Sequence, residues 1–282
     1  MNILKRPSLR RTGSILCFSV LSALGAGVFH AGAQSFILSQ KDSTAQIDLS
    51  SGLSNWQVDG VNQVNQQGFY FSVGNTQAEP ISTIAAPSNV STSAITPTVT
   101  ATYANVNGPI SVTTKYQLTG QASGSGQAKL LETITVKNTS AFAQDFHLYQ
   151  YSDFDLGGVT GNQNAVFFNN GSGAYQLTQT GAATTLNESA AAPAASSSEV
   201  QAGLLDATLL GLANAGLTTF NDTLSAGPGN VVYGYEWDAA SLAPNSSYQV
   251  SITLSVPEPS VLAILSTGAI GLSLIRRRSR KA

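Results

Sequence analysis

Short runs of β-branched and aromatic residues recur along most of this chain, with Gly, Asn and Pro between them. In TPTVTATYA and ISVTTKYQLTG, apolar and polar residues alternate with the two-residue period of a strand, which does not build the apolar stripe of a helix. About ten or more runs at this spacing predict an all-β fold rather than alternating strands and helices. We therefore expect a β-sandwich of about ten or more strands.

Two segments are expected to depart from the strand pattern. Residues 181–198 are rich in Ala, Ser and Thr and offer little apolar surface, which predicts an exposed loop. Apolar residues between positions 200 and 212 recur at helical spacing ahead of Gly216, where a helix can end. This second segment is predicted to form the one short helix of the fold.

Residues 1–33 have the three parts of a secretory signal peptide. A basic leader precedes a mostly apolar stretch at residues 15–28, and small residues at 31–33 suit a signal peptidase. We expect cleavage before Gln34. Cys17, the only cysteine, lies in this leader, so the exported body cannot use disulfides and must be stabilised by core burial in one domain, residues 34–256.

The exported body is acidic. Residues 34–257 hold four lysines and no arginine against fourteen acids, a formal charge of −10. Such a body repels nucleic acid and anionic membranes, both of which bind proteins through Lys and Arg. Neutral glycans, cations and basic partners remain compatible with it.

The last 26 residues combine an extended motif, an apolar stretch and a basic cluster. Prolines flank Glu258 and prevent a helix there. The apolar stretch at residues 261–275 would span about 22 Å as a helix, short against a hydrocarbon core of about 30 Å. Because the basic cluster favours the cytoplasmic side, we expect a short C-terminal transmembrane helix with the body outside.

This tail resembles the PEP-CTERM sorting signal of Gram-negative bacteria, a kind of tail also labelled an ice-binding protein C-terminal domain. The resemblance covers residues 257–282. It implies that an exosortase, a membrane cysteine protease, recognises the chain, that the tail is removed, and that the body reaches the cell surface or an exopolysaccharide matrix. The residues that carry it are the processing motif Pro257, Glu258 and Pro259 and the basic cluster Arg276, Arg277 and Arg278.

The body has a resemblance of its own. The segments LLETITVKNTSAFAQDFHLYQYSDFDL, LLDATLLGLANAGLTTFND and VVYGYEWDAASLAPNSSYQVSITLSVPEPS occur in this order. Together they resemble a recurring class of PEP-CTERM proteins whose exported domain is all-β. The resemblance implies a fold and a location, and no activity.

Several catalytic arrangements are excluded or weakened by the residues available. Outside the leader, His147 is the only histidine and cysteine is absent, which excludes zinc sites built from several His and Cys ligands. No G-x-S-x-G motif marks a nucleophilic serine. Paired carboxylates for glycoside hydrolysis remain open among the fourteen acids, although the sequence marks no pair.

The segment DFHLYQYSDFDLGGVTGNQN, residues 145–164, holds the candidate binding residues. As a strand it places one set of polar residues on one face and apolar residues on the other. The polar set is Asp145, His147, Tyr149, Tyr151, Asp153 and Asp155. Acids at the first and third loop positions and glycine at the sixth resemble the start of a calcium loop, but Asn164 stands where an EF-hand needs glutamate. A calcium site here would use Asp153, Asp155, Asn162 and Asn164. The alternative is a strand with a solvated face that ends at Gly157 and Gly158.

Two further surfaces are open interpretations. Tyr149 and Tyr151 beside these acids could form a platform for a sugar ring. The alternative is ordinary aromatic packing between neighbouring strands. Four threonines of TPTVTATYA share one strand face, as on ice-binding surfaces, although no repeat supplies further rows. These threonines are Thr96, Thr98, Thr100 and Thr102.

The sequence thus predicts a non-enzymatic, exported protein of the cell surface or exopolysaccharide matrix with a structural or glycan-binding role. The predicted partners are an exosortase, extracellular polysaccharide and, before processing, the membrane through the C-terminal helix. A carbohydrate-active enzyme that uses paired carboxylates is the alternative function, and ice binding is the third. No cofactor is predicted, and calcium is the one metal that the sequence leaves open.

Overall fold

The computed structural model describes residues 34–169, 174–182, 184–193, 197–205 and 207–257, so the predicted signal peptide and all of the tail beyond Pro257 lie outside the described residues. The described chain forms strands β1 (Ser35–Gln40), β2 (Ser43–Asp48), β3 (Gly52–Val58), β4 (Val61–Asn62), β5 (Gln66–Val73), β6 (Glu79–Pro80), β7 (Ser88–Ser93), β8 (Thr98–Ala104), β9 (Ile110–Gly120), β10 (Ala128–Asn138), β11 (Gln144–Asp153), β12 (Gln163–Asn169), β13 (Tyr175–Thr180), β14 (Thr185–Ala191), β15 (Ser197–Leu204), β16 (Ser225–Gly229), β17 (Val231–Leu242) and β18 (Ser247–Val256), with one helix, α1 (Ala207–Leu212), between β15 and β16.

The strands pair into two antiparallel sheets, which confirms the predicted all-β sandwich. The front sheet has the order β1-β2-β3-β5-β11-β17-β15, with β4 beside β3 and β6 beside β5. The back sheet has the order β16-β12-β13-β14-β18-β10-β9-β8-β7. Strand β11, which carries the candidate residues, therefore lies inside the front sheet between β5 and β17.

Alternation along the strands decides which side chains enter the core. In β10, Leu130, Ile134 and Val136 are buried while Lys129 and Lys137 are exposed, as a sheet with one buried face requires. The facing residues of the front sheet include Trp237, whose ring stacks on that of Tyr235 at 5.4 Å between centroids. These large aromatic side chains provide much of the apolar area that stabilises a sandwich without disulfides.

Both predicted departures from the strand pattern are wrong in part. Residues 185–191 form β14, which is hydrogen-bonded between β13 and β18 instead of lying in an exposed loop. Residues 197–204 form β15 rather than the first half of a helix, because pairing with β17 buries Val200 and Ala202 in the core. The helix is confined to α1. In both segments, pairing with neighbouring strands overrides weak local propensity.

Two glutamates are buried between the sheets. Glu132 is fully buried and no hydrogen bond reaches either carboxylate oxygen. Burial raises the pKa of Glu132 well above its usual range, and the nearby Glu188 raises it further, while Gln67 opposes the shift. Burial also raises the pKa of Glu188 to about 7, against hydrogen bonds from Tyr233 and Gln150. Both groups therefore hold a proton in the folded state at pH values where the unfolded chain has lost it.

We expect the fold to be most stable in mild acid and Glu132→Gln to remove part of this pH dependence. A folded pKa above the unfolded value means that the folded state binds the extra proton, so stability falls as pH rises above about 4.5. At about pH 8 the variant should be more stable than the parent by about 1–3 kcal/mol, because it removes a buried carboxylate that lacks hydrogen bonds. Urea unfolding at several pH values measures this, and equal slopes against pH for the two proteins would contradict it.

The described part of the chain ends as β18 leaves the back sheet at Val256. No helix among these residues is long and apolar enough to cross a membrane. The predicted C-terminal helix, Glu258, Pro259 and the three arginines of the basic cluster all lie outside the described residues.

Candidate functional site

Strand β11 presents its polar residues to the outer face of the front sheet. Phe146 and Leu148 point into the core, while His147, Tyr149 and Tyr151 occupy the opposite face. This division between the two faces is the one predicted from the sequence.

Neighbouring strands bring three carboxylates to this face. In the register of the sheet, His147 lies opposite Asp238 of β17, and Tyr149 lies opposite Glu236. On the far side of β17, Glu199 of β15 lies opposite Glu236. We call His147, Glu199, Glu236 and Asp238 the outer-face cluster.

The sequence analysis missed the three carboxylates of the outer-face cluster. Glu236 and Asp238 alternate with the core residues Tyr235 and Trp237 in YEWD, so period-two alternation could have placed them on one face of a strand. Glu199 could not be placed on a strand face, because it lies between the predicted loop and the predicted helix.

The imidazole of His147 is held by carboxylates. Its Nδ1 forms a short hydrogen bond with Asp238 Oδ1, and Glu236 Oε1 lies 3.8 Å from the same nitrogen. The side chains of His147 and Asp238 are 15% and 22% exposed, whereas that of Glu236 is only 1% exposed. Solvent therefore reaches the histidine and Asp238, and Glu236 lies beneath them.

The second oxygen of Glu236 is bound by the backbone. Glu236 Oε2 accepts a hydrogen bond from Phe220 N at 2.7 Å, while no hydrogen bond reaches Oε1. A carboxylate with one oxygen fixed and one oxygen left without a donor is a strong electrostatic partner for nearby cationic groups.

These contacts change the protonation of two groups. The hydrogen bond with Asp238 and then the neighbouring carboxylate of Glu236 raise the pKa of His147 to about 9, although burial opposes the rise. Burial, followed by the charges of Glu236, Asp238 and Asp222, raises the pKa of Glu199 to about 7. At neutral pH the cluster thus contains a charged imidazole beside a carboxyl group that is about half protonated.

We expect Asp238→Asn to lower the pKa of His147 from about 9 toward its ordinary value of 6.5, because the first cause of the rise is removed. Histidine NMR signals followed through a pH titration measure the change. Asp145→Asn is a matched control on the same strand, because Asp145 is exposed and bonds Ser241 N instead of the histidine. A pKa that stays at the parent's value in Asp238→Asn would contradict the assignment.

A covering segment, residues 212–222, packs on the outer face next to the cluster. Leu212 and Phe220 bury Tyr149, Tyr151 and Val232 in a second apolar cluster. Tyr149 donates its hydroxyl hydrogen bond to Thr218 O at 2.8 Å. The predicted sugar platform at Tyr149 and Tyr151 is therefore wrong as an open surface, because both rings are 2% exposed or less.

The predicted calcium residues are only partly brought together. Asp153 raises the pKa of the neighbouring Asp155, after burial as the larger cause, and Asp153 Oδ2 accepts a hydrogen bond from Asn65 at 2.8 Å. Asn162 and Asn164 are exposed. The calcium site remains a prediction.

Glutamine side chains, rather than the predicted calcium ligands, hold the loop that follows Asp155. Gln63 Oε1 accepts a hydrogen bond from Gly157 N at 2.9 Å, and Gln163 Nε2 donates one to Val159 O at 2.8 Å. Gln163 Oε1 also accepts a hydrogen bond from Gln179 Nε2 at 2.7 Å. These hydrogen bonds connect the loop to the rest of the fold.

The threonine row is placed as predicted, apart from its first member. Thr98, Thr100 and Thr102 face away from the core on β8, and Thr96 precedes the strand. Ice binding remains untested.

The described residues offer one His/Cys/Asp/Glu group suited to a metal ion. His147, Glu236 and Asp238 each supply one ligand atom, and these atoms lie within 4.8 Å of one another. A nitrogen and two carboxylate oxygens are ligands that divalent transition metals accept.

A separate cavity of about 110 Å³ lies at another part of the sandwich and includes no residue of the outer-face cluster. It is lined by residues that include Asp48, Gly68, Tyr103 and Tyr116. Its mixed polar and aromatic lining provides no group of acid–base residues comparable with the cluster.

Comparison with known proteins shows the fold of the chain. No family model and no curated protein matches the chain. A bacterial glucoamylase complexed with acarbose superimposes with a TM-score of 0.54 at 13% identity, over 83% of this chain and 34% of that one. This chain therefore spans about a third of the glucoamylase chain.

Smaller solved structures are also similar. A galactose mutarotase-like protein from Clostridium acetobutylicum matches with a TM-score of 0.48 at 10% identity, over 80% of this chain and 96% of that one. A galactose mutarotase-like protein from Lactobacillus casei matches with a TM-score of 0.46 at 12% identity, over 79% and 100%.

The prediction of a non-enzymatic protein is corrected by these findings. The sandwich is shared with part of a bacterial glucoamylase chain, at a TM-score of 0.54.

Proposed function

We propose that the chain is a carbohydrate-active enzyme that transfers protons at a saccharide bound to the outer-face cluster. The observation that carries the proposal is the convergence of four titratable side chains from three adjacent strands on one solvent-reached patch. The carbohydrate-related fold supports the choice of substrate class.

The geometry suggests a division of roles. Asp238 binds Nδ1 of His147, which fixes the ring and leaves Nε2 as the nitrogen that can donate a proton to a saccharide oxygen. The carboxylate of Glu199 can accept a proton from a hydroxyl group or a water molecule. Glu236 lies beneath both and acts as a positioning residue.

Enzymes that act on glycosides use one acid group and one base group, and the different surroundings of the two groups give them different pKa values. The roles assigned to His147 and Glu199 follow this pattern. Here the hydrogen-bonded imidazole favours its charged form, and the half-buried Glu199 is surrounded by like charges. The paired carboxylates left open by the sequence analysis are thus replaced by a histidine and a carboxylate.

A pH profile follows from these roles. Turnover should be greatest between about pH 7 and about pH 9, because Glu199 must lose its proton to accept another and His147 must keep the proton that it donates. Initial rates measured across this range check the prediction. A rate that rises steadily as the pH falls below about 6 would contradict it, because Glu199 is then protonated.

The proposal is tested by incubating the full chain with neutral and amino-substituted glucose and galactose saccharides. NMR follows exchange at the anomeric carbon, and a reducing-end assay follows bond cleavage. A rate above buffer on at least one saccharide, lost in Glu199→Gln and retained in Glu79→Gln, is expected. Glu79 is an exposed carboxylate outside the cluster and provides the matched control.

Export and processing are proposed on sequence grounds alone. The basic leader and the Pro257-Glu258-Pro259 tail support secretion, exosortase processing and a final location at the cell surface or in the exopolysaccharide matrix. Mass spectrometry of the protein recovered from the producing cells tests this, because intact termini at both ends would contradict it.

A further inference from the structure

The charges of the sandwich are divided between its two outer faces. Lys115, Lys129 and Lys137 all point outward from β9 and β10 on the back sheet. The remaining lysine of residues 34–257, Lys41, lies in the turn between β1 and β2. Residues 34–257 contain no arginine, so among the described residues no lysine or arginine extends from the strands that carry the outer-face cluster.

The outer-face cluster has more negative than positive groups. Glu199, Glu236 and Asp238 face one imidazole, and Asp222 adds its charge at Glu199. Asp222 is fixed there because its Oδ1 accepts a hydrogen bond from Val200 N at 3.2 Å. The charged form of His147 cancels only one of these carboxylates.

Two buried carboxylate oxygens of the outer-face cluster accept no hydrogen bond. Glu236 is 1% exposed, and its Oε1 accepts no hydrogen bond although it faces the histidine at 3.8 Å. Glu199 Oε2 is buried and likewise lacks a hydrogen bond. Two carboxylate oxygens without donors on one patch favour a ligand that brings N–H groups and positive charge.

We infer that the saccharide taken by the outer-face cluster is an amino sugar with a free ammonium group. This inference rests on the proposed function and names its substrate class. The ammonium supplies three donors to a site that has surplus acceptors, and its charge offsets the excess of carboxylates. Uronic acids and sugar phosphates are disfavoured, because they would bring a further negative charge to these groups.

The test compares three ligands that differ only at carbon 2. Glucosamine, glucose and N-acetylglucosamine are titrated into the full chain at about pH 6 and low salt, where an amine of ordinary pKa is protonated. Binding is followed through the imidazole NMR signals of His147. We expect glucosamine to bind about tenfold more tightly than the two neutral sugars, and the preference to shrink as NaCl is added.

Two variants and ammonium chloride distinguish recognition of an amino sugar from attraction of positive charge alone. Asp222→Asn removes a negative charge beside Glu199 without changing a residue of the cluster, so it should reduce the preference and leave the weaker binding of glucose in place, whereas Glu79→Gln should change neither. Ammonium chloride measures the attraction of charge alone, and glucosamine that binds no better than ammonium would overturn the inference. Equal binding of the three sugars would overturn the inference and leave the proposed function standing. If none of the three sugars binds, the inference fails, and the proposed function fails as well if the galactose saccharides also give no rate above buffer.

Discussion

Replacing His147 with glutamine is expected to lower turnover of a saccharide by about 10²–10⁴-fold, the usual contribution of a positioned acid or base. Glutamine can still bond Asp238 but carries no proton that it can donate at neutral pH. The expected pattern is a large loss in kcat with a smaller change in KM, because ring orientation and the carboxylates are kept. Initial rates on the best substrate of the saccharide panel measure it.

The chain supplies a matched control for this substitution. His30 is the only other histidine and lies in the predicted leader, so His30→Gln should leave turnover unchanged. A His147→Gln protein that keeps more than about a tenth of the parent's kcat would remove the histidine from the proposed chemistry.

Phe220→Ala is expected to destabilise the fold by about 3–5 kcal/mol, the usual cost of emptying a buried aromatic site. Phe220 is 3% exposed and meets Tyr149 edge-on at 5.8 Å between ring centroids. Gly234 provides the space for this ring, because a Cβ atom there would lie 2.7 Å from a Phe220 ring carbon. Urea unfolding of the parent and the variant gives the free-energy difference.

Phe220→Leu is the control, since it keeps much of the apolar volume and should cost only about 1 kcal/mol. If alanine and leucine cost the same small amount, the covering segment does not depend on the Phe220 ring. Packing of the Phe220 ring would then not be what holds the backbone N–H of Phe220 against Glu236.

The faces of β11 could be predicted because alternation is a local property. The order of Phe146, His147, Leu148 and Tyr149 is enough to separate core from surface once the segment is taken as a strand. The same argument explains the correct prediction of a sandwich, since local alternation recurs in most strands.

The outer-face cluster could not be predicted, because it depends on pairing between distant strands. His147 and Asp238 are 91 residues apart in sequence and meet only because β11 and β17 are neighbours in one register. A shift of the register by one residue would send Asp238 to the other face. Nothing local in either segment specifies that choice.

The burial of Tyr149 and Tyr151 could not be decided from the sequence for a related reason. The sheet leaves both rings on its outer face, and the covering segment then encloses them through Leu212 and Phe220. That segment comes from residues about 60 positions later in the chain, so strand periodicity alone could not decide between an exposed platform and buried aromatic packing.

The most direct test of the central claim is a saccharide titration monitored at the His147 imidazole by NMR. His147 is the only histidine in residues 34–257, so its signals report on the outer-face cluster and can be assigned with His147→Gln. A saturable change in these signals is expected with at least one sugar of the panel, lost in Glu199→Gln and kept in Glu79→Gln. Saccharide binding detected elsewhere on the protein with the His147 signals unchanged would contradict it.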